Sequence, residues 1–302
     1  AALTPMAELA EIGVRIFTDD GCGVQDDRLM RRALEYASGL PVPVVLAQHC
    51  EVEALSEGGH MHEGEWSSRL GIPGIPAEAE ELMVFRDIAL SRVTGMRVHF
   101  QHLSTAGAVA LVRDAKAKGL PVTAEATPHH FTLTHAEVAS YDPVFKVNPP
   151  LRADVDVAAV KEGLADGTID AIATDHAPHT ADVKEAPFDV APCGMLGLET
   201  ALALGITELV EPGVVSMQEL MALLSWNPAS IAGVGDVHGR DVEAGAPAHL
   251  VVFDPTLEWT VDPSTFASKS DNTPYRGRVV RGKVRHTLLC GIPTVRDGEA
   301  CR

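Results

Sequence analysis

Arg97-Val98-His99-Phe100 runs into Gln101-His102-Leu103-Ser104-Thr105. Ala106 to Lys118 then carries an amphipathic pattern that stops at Gly119, and Pro121-Val122-Thr123-Ala124-Glu125 runs into Ala126-Thr127-Pro128-His129-His130. A short β-branched run, a helix-length stretch closed by glycine and a second apolar run make a strand–helix–strand unit. Strands joined through a helix lie parallel, and a parallel sheet needs helices over its faces. The same unit recurs on both sides. Val14-Arg15-Ile16-Phe17 ends at Thr18-Asp19-Asp20-Gly21, and Val42 to Ala47 ends at Gln48-His49-Cys50-Glu51. Ile169-Asp170-Ala171-Ile172-Ala173 ends at Thr174-Asp175-His176-Ala177-Pro178-His179. Helical patterns cover Asp27 to Ser38, Glu78 to Arg92 and Met217 to Leu224.

All five runs end in polar side chains at the C-terminal edge, which is the working face of a (β/α)₈ barrel. An open doubly-wound sheet also works at that edge but marks its phosphate sites with a glycine-rich turn, and neither GxGxxG nor GxxxxGK[ST] occurs. The fold class predicted is therefore α/β, a (β/α)₈ TIM-type barrel of which the last five βα units are evident, over residues 1–235. From Gly239 the pattern changes to short alternating runs such as Leu250-Val251-Val252-Phe253 and Val279-Val280-Arg281-Gly282-Lys283-Val284. Residues 236–302 are expected to form a small β domain of the sandwich kind. Three further units, about 90 residues at the usual length per unit, are expected to precede Ala1. The start Ala1-Ala2-Leu3-Thr4-Pro5, with no initiator Met and no signal-type core, fits a sequence that begins partway.

Lys and Arg number 24 against 42 Asp and Glu, a net charge of −18, which argues against nucleic acid or an anionic membrane as partner. Apolar residues at 46% and charged residues at 22% fit a packed globular chain, and no apolar run approaches the ~20 residues of a membrane span. The five cysteines, Cys22, Cys50, Cys193, Cys290 and Cys301, are odd in number and form no CxxC pair. That pattern suggests neither a zinc ribbon nor a secreted disulfide framework, and points to the cytoplasm.

Asp20, His49, His102 and Asp175 end four different strands. Imidazole nitrogen and carboxylate oxygen converging at a barrel mouth are a donor set for a cation such as Zn²⁺. A lone aspartate after a strand is otherwise a helix cap or turn residue, and a lone histidine a structural one. Four in one register favour the ligand reading. Gly58-Gly59-His60-Met61-His62-Glu63-Gly64 contains an HxH pair but no preceding strand pattern, and is expected to be a mobile surface loop. His99 has the opposite strand parity to His102, so it is expected to face the barrel–helix layer if His102 faces the mouth. His135, His238, His249 and His286 have no evident partners. Asn148 before Pro149-Pro150 reads equally as a turn opener. Cys50 and Cys193 read as packing or loop residues with no base beside them.

The ordered set is specific. Phe17-Thr18-Asp19-Asp20-Gly21, Ala47-Gln48-His49-Cys50-Glu51, His102-Leu103-Ser104-Thr105, Glu125-Ala126-Thr127-Pro128-His129-His130, Lys146-Val147-Asn148-Pro149-Pro150-Leu151-Arg152 and Ala173-Thr174-Asp175-His176-Ala177-Pro178-His179 together resemble a type I dihydroorotase of the amidohydrolase superfamily. The resemblance runs from about residue 10 to 235 and resumes at Gly239 to Asp254, Asn272-Thr273-Pro274-Tyr275 and Arg281-Gly282-Lys283. It implies a metal-dependent hydrolase with one or two Zn²⁺ per subunit, acting on N-carbamoyl-L-aspartate and L-dihydroorotate in pyrimidine synthesis. Asp20 would bridge, where hydantoinases and allantoinases carry a carboxylated Lys. His49 and His102 would hold the second metal, and Asp175 would bind the first and act as general base and then acid. Asn148 and His179 would contact substrate, and the loop with Cys193 and Gly194 would offer it backbone groups. The family's first strand carries His-x-His-x-Arg, which is not found ahead of Asp20; His60-Met61-His62 comes too late in the order. The loop from Thr180 to Gly194 has a composition that permits a lid. The competing readings are another cyclic amidohydrolase, allantoinase or hydantoinase, and a non-catalytic subunit that scaffolds aspartate transcarbamoylase. As an enzyme the chain would take a small-molecule substrate and form a homodimer or associate with aspartate transcarbamoylase.

Overall fold

The computed structural model describes residues 2–301. Five short strands, β1 (Ile16–Thr18), β2 (Val45–Gln48), β5 (Val98–Phe100), β6 (Val122–Ala126) and β7 (Ala171–Ile172), pair in parallel in the order β1-β2-β5-β6-β7. Between β2 and β5 a two-residue parallel pair, β3 (Met61–His62) with β4 (Gly74–Ile75), forms a separate small sheet. In the main sheet each strand lies beside its predecessor in the chain, with no reversal of direction. A doubly-wound sheet requires such a reversal, whereas successive barrel staves do not. The barrel reading holds, and the strands sit within two residues or so of where the apolar runs placed them.

The crossovers are helices with readable ends. Asp27–Ser38 starts where the Asp26 carboxylate accepts the Leu29 N–H at 2.8 Å. Ala106–Ala117 starts where the Thr105 hydroxyl accepts the Ala108 N–H, and Gly119 leaves it at φ +73°. Glu78–Thr94 buries Ala79, Met83, Val84 and Ser91 at helical spacing, and the same stripe carries two acids, Glu80 and Asp87. The outer face of the sheet, including Leu46, Val98, Phe100 and Ala124, packs with Met30, Leu34, Met83 and Val112 of these helices in one core. A second core joins helix Asp154–Ala165 to the segments 206–210 and 217–224.

After residue 235 the chain changes to antiparallel strands. The strands β8 (Leu250–Thr260), β9 (Val279–Leu289), β10 (Ile292–Arg296) and β11 (Glu299–Ala300) make one antiparallel sheet in the order β11-β10-β9-β8. Among the described residues it is a single sheet, not a two-sheet sandwich. Its apolar cover comes from the barrel side: Val261, Tyr275 and Val280 share a core with Leu133, Val147, Met195 and Leu204. Close approach of β9 explains Gly282 (φ +95°), where a Cβ would collide with Ile206 Cδ1. Alternating apolar runs announce strands but not what covers them, which is why this difference was not visible in the pattern.

Candidate metal centre

Asp20 follows β1, His49 follows β2, His102 follows β5 and Asp175 follows β7, all at the C-terminal edge of the sheet. They line one open cavity of about 300 Å³ together with Asn148, Cys193 and Gly194. Of the residues expected at the site only His179 is not in its wall, and its ring is anchored to the wall by a hydrogen bond from Nε2 to the Cys193 carbonyl at 2.8 Å.

Three of these residues converge. The Asp20 Oδ1 atom lies 3.5 Å from His102 Nε2 and 3.9 Å from His49 Nδ1, and the two imidazole nitrogens are 3.1 Å apart. One donor atom from each lies within 4.8 Å of the others. Two imidazole nitrogens and a carboxylate oxygen gathered this closely suit a borderline divalent cation. Asp175 lines the same cavity but stands outside this triad. A hydrogen bond from His102 is the main cause holding the Asp20 carboxyl below its usual range, against the opposing effect of burial. Burial pushes the Asp175 carboxyl up, and the nearby Asp20 charge adds to this while His102 works against it.

The aim of His49 is set by a residue the sequence reading passed over. Glu51 Oε2 lies 3.2 Å from His49 Nε2, so the imidazole can donate there and turn its Nδ1 lone pair to the cavity. Burial alone would raise the Glu51 carboxyl, but hydrogen bonds from His49, Ser56 and Asn148 outweigh it and bring it down to about 2. The Asn148 amide donates to Glu51 Oε2 at 2.6 Å, and its Oδ1 is buried without a partner. Asn148 is thus a cavity residue with a free acceptor rather than only a turn opener.

His102 is held from behind. Its backbone is left-handed at φ +34°, and the turn that follows is clamped by Glu80 of helix Glu78–Thr94. Glu80 accepts the Ser104 and Thr105 N–H groups at 3.0 Å each, the Thr105 hydroxyl at 2.9 Å and the Ser104 hydroxyl. Arg152, buried four residues after Asn148, donates to Ser104 Oγ at 3.0 Å and to the Ile75 carbonyl at 3.1 Å. The turns bearing His102 and Asn148 are therefore joined through a buried Glu–Ser–Arg network. Neither Glu80 nor Arg152 was singled out from sequence; a charged residue inside the apolar stripe of a helix is the signal that could have found Glu80.

Three expectations need correction. His99 does not face the helix layer. Its ring bonds Thr123 Oγ1 at 2.8 Å and Glu125 Oε2 at 3.0 Å, while Val98 and Phe100 beside it point to the helices. Parity counting failed because β5 ends at Phe100 and the chain is left-handed at His102, so strand alternation does not carry from His99 to His102. The HxH segment is not a mobile surface loop: Met61 is 1% exposed and pairs with Gly74. His62 Nδ1 lies 3.2 Å from an Arg152 donor, and burial together with that guanidinium lowers the imidazole to about 4. A nitrogen facing a fixed cation is a poor metal ligand. His135, His238 and His249 do have neighbours, with ring centroids at 5.1 Å for His62–His135 and 4.5 Å for His238–His249, and His286 Nε2 is 3.8 Å from Asp297 Oδ1.

The substrate-side loop is already heavily bonded. Gly194 N–H donates to the Lys146 carbonyl at 2.9 Å and Gly194 O accepts from Asn272 Nδ2 at 3.3 Å. The segment from Thr180 contains helix Ala181–Lys184, and Lys184 Nζ bonds the carbonyls of Pro143 and Pro192 at 2.7 and 2.9 Å. Cys50 is buried in the core, whereas Cys193 is exposed, and both are free thiols.

A family model described as dihydro-orotase-like matches residues 1–108. A dihydroorotase of Pelotomaculum thermopropionicum is 52% identical over 98% of this chain and 68% of its own length. One of Streptomyces coelicolor is 48% identical over 97% of this chain and 70% of its own length. Among solved structures, an L-hydantoinase (dihydropyrimidinase) of Arthrobacter aurescens superposes with a TM-score of 0.85 at 24% identity, covering 98% of this chain and 68% of that one, a likeness of fold. No helix among the described residues is long and apolar enough to cross a membrane.

Proposed function

The chain belongs to the dihydroorotase family, and on that premise we propose that its strand-end cavity serves the interconversion of N-carbamoyl-L-aspartate and L-dihydroorotate, with Zn²⁺ as the cation. The observation that carries the proposal is the convergence of Asp20, His49 and His102 in the same cavity as Asp175 and Asn148. Identity near one half to proteins named dihydroorotase supports this reaction over hydantoin or allantoin hydrolysis.

The donor set fits the cation the family implies: Asp20, His49 and His102 would hold one ion, and Asp175 would contribute to a second. When bound, the ion supplies Lewis-acid polarisation of the amide carbonyl and brings the pKa of a water to ~7. In the hydrolytic direction water adds across the ring amide. Asp175 takes the water proton at its carboxylate and gives it to the ring nitrogen as the C–N bond breaks; cyclisation runs the same transfers backwards. A carboxyl raised by burial suits a group that must hold a proton halfway through the cycle. Asn148 Oδ1, buried and unpartnered, is available to accept a ring N–H. His179 spends its Nε2 proton on Cys193 O, which fixes the ring beside the cavity wall. Gly194 and Cys193 carbonyls each keep a second lone pair for a ring N–H.

A pyrimidine-synthetic role in the cytoplasm, and assembly as a homodimer or with aspartate transcarbamoylase, belong to the same proposal. The test is carbamoyl-aspartate cyclisation by the natural full-length chain, with bound metal measured on the same sample and hydantoin and allantoin as competing substrates. Turnover of hydantoin or allantoin without dihydroorotate sinks the substrate assignment. Bound metal with no turnover of any substrate favours the scaffold reading.

A further inference from the structure

Asn272 belongs to the C-terminal segment, in the connection between β8 and β9, yet its side chain reaches the cavity wall. It is 5% exposed, and each of its polar groups is spent on the two loops that close one side of the cavity. Oδ1 accepts the His179 N–H at 3.1 Å, and Nδ2 donates to the Ala177 carbonyl at 3.0 Å and to the Gly194 carbonyl at 3.3 Å. Its own carbonyl accepts the Leu196 N–H at 3.1 Å. The two loops touch directly as well, through Ala177 N–H to Met195 O at 3.0 Å. They are packed so closely that a Cβ on Gly194 (φ +126°) would stand 2.5 Å from the Ala177 Cβ.

We propose that Asn272 is a positioning residue for substrate binding: a single amide from the C-terminal segment fixes the spacing between the Ala177–His179 loop and the Cys193–Gly194 loop, and so the width of the cavity on that side. The proposal rests on the reading that this cavity takes the substrate. The hydrogen bonds of Asn272 go to Ala177, His179, Gly194 and Leu196 and none to Asp20, His49 or His102, so it acts on the substrate side and leaves the cation site alone. An amide suits the post because it presents one acceptor and two donors at fixed angles, and here the wall offers one N–H and two carbonyls. An aspartate of the same shape keeps the acceptor but sets a carboxylate oxygen against both carbonyls.

The test uses the natural full-length chain with Asn272→Asp, Asn272→Ser and, as a control, Val280→Ala. Val280 is 1% exposed in the core that docks the same segment, which it shares with Met195, and its strand partner is Trp259 rather than either loop. The result expected for Asn272→Asp is a KM for dihydroorotate raised about tenfold or more with kcat within about threefold. Bound metal should be unchanged, and amide exchange should be faster in residues 177–179 and 193–197. Val280→Ala should lower Tm and leave KM and the exchange of residues 177–179 alone. Asn272→Ser gives the same readings if the aspartate variant does not accumulate folded. A KM within twofold of wild type, or Val280→Ala raising KM as much, overturns the proposal. If wild-type protein does not turn over dihydroorotate, the substrate reading fails by itself; unchanged exchange in the two loops of the variant then refutes the positioning role separately.

Discussion

Replacing Glu80 by alanine should be among the most damaging single changes in this chain, and the structure gives the size. Glu80 is 2% exposed and receives the N–H groups of Ser104 and Thr105 and both of their hydroxyls. Its truncation orphans two buried backbone donors at about 1–3 kcal/mol each. It also removes the nearest carboxylate from Arg152, whose Nη2 lies 4.0 Å away and is itself buried. Breaking a buried charge pair from one side costs about 3–5 kcal/mol. The two estimates describe overlapping losses, so they do not add, and both put the change near 4 kcal/mol. Urea denaturation should show the midpoint falling at unchanged slope, and Tm should drop by roughly 6 °C or more. Glu57→Ala, on an exposed residue, should stay within about 0.5 kcal/mol. Because Ser104 lies two residues beyond His102, the same variant should also bind metal more weakly in a competition titration with a chelator. A loss under ~1 kcal/mol together with unchanged metal affinity would refute the claim that Glu80 holds the His102 turn.

Glu51→Gln should weaken metal binding by about 10–100-fold, the usual cost of losing a carboxylate behind a ligating histidine, read by the same titration; unchanged affinity would detach Glu51 from His49. Glu51 also predicts a pH effect. Its carboxyl sits near 2 in the fold against an ordinary 4.5, so it stabilises the folded chain above pH 4.5 and loses that contribution as pH falls towards 2. The gap in urea midpoint between wild type and Glu51→Gln should therefore shrink over that interval, and a gap that widens would reverse the sign. Asp175→Ala should abolish turnover while metal held by Asp20, His49 and His102 stays bound; near-normal turnover removes Asp175 from proton transfer.

What the sequence made legible is what repeats or what sits at a boundary. Apolar runs with polar ends located the five strands, and their ends located Asp20, His49, His102 and Asp175, because a parallel strand delivers its next residues to a common edge. Out of sight was everything fixed by contact across the chain. Glu80 touches Ser104, Arg152 touches Ile75, and Asn272 touches Ala177. None of these pairs shares an element or a spacing rule, so no local pattern reports them. His99 shows a different failure. Strand parity is a sound rule inside a strand, but β5 ends at Phe100 and the rule was carried two residues past it.

That failure at His102 also shows how the site is built. His102 at φ +34° and Asp175 at φ +44° are both left-handed, a conformation that costs a non-glycine residue about 1 kcal/mol or more. A strand continuing in extended form would carry such a residue out along the sheet direction; a left-handed turn bends the chain at the barrel rim instead. Such a turn persists only if its neighbours are over-determined, and on both sides they are. After His102, Leu103 N–H bonds the Glu125 carbonyl at 2.9 Å and the next two amides bond Glu80. After Asp175, His176 Nδ1 accepts the N–H groups of Gly197 and Leu198 at 3.2 and 3.3 Å, and Ala177 N–H bonds the Met195 carbonyl. The residues whose chemistry matters are thus the ones whose backbone is least comfortable, and the bonds that keep them there come from distant parts of the chain.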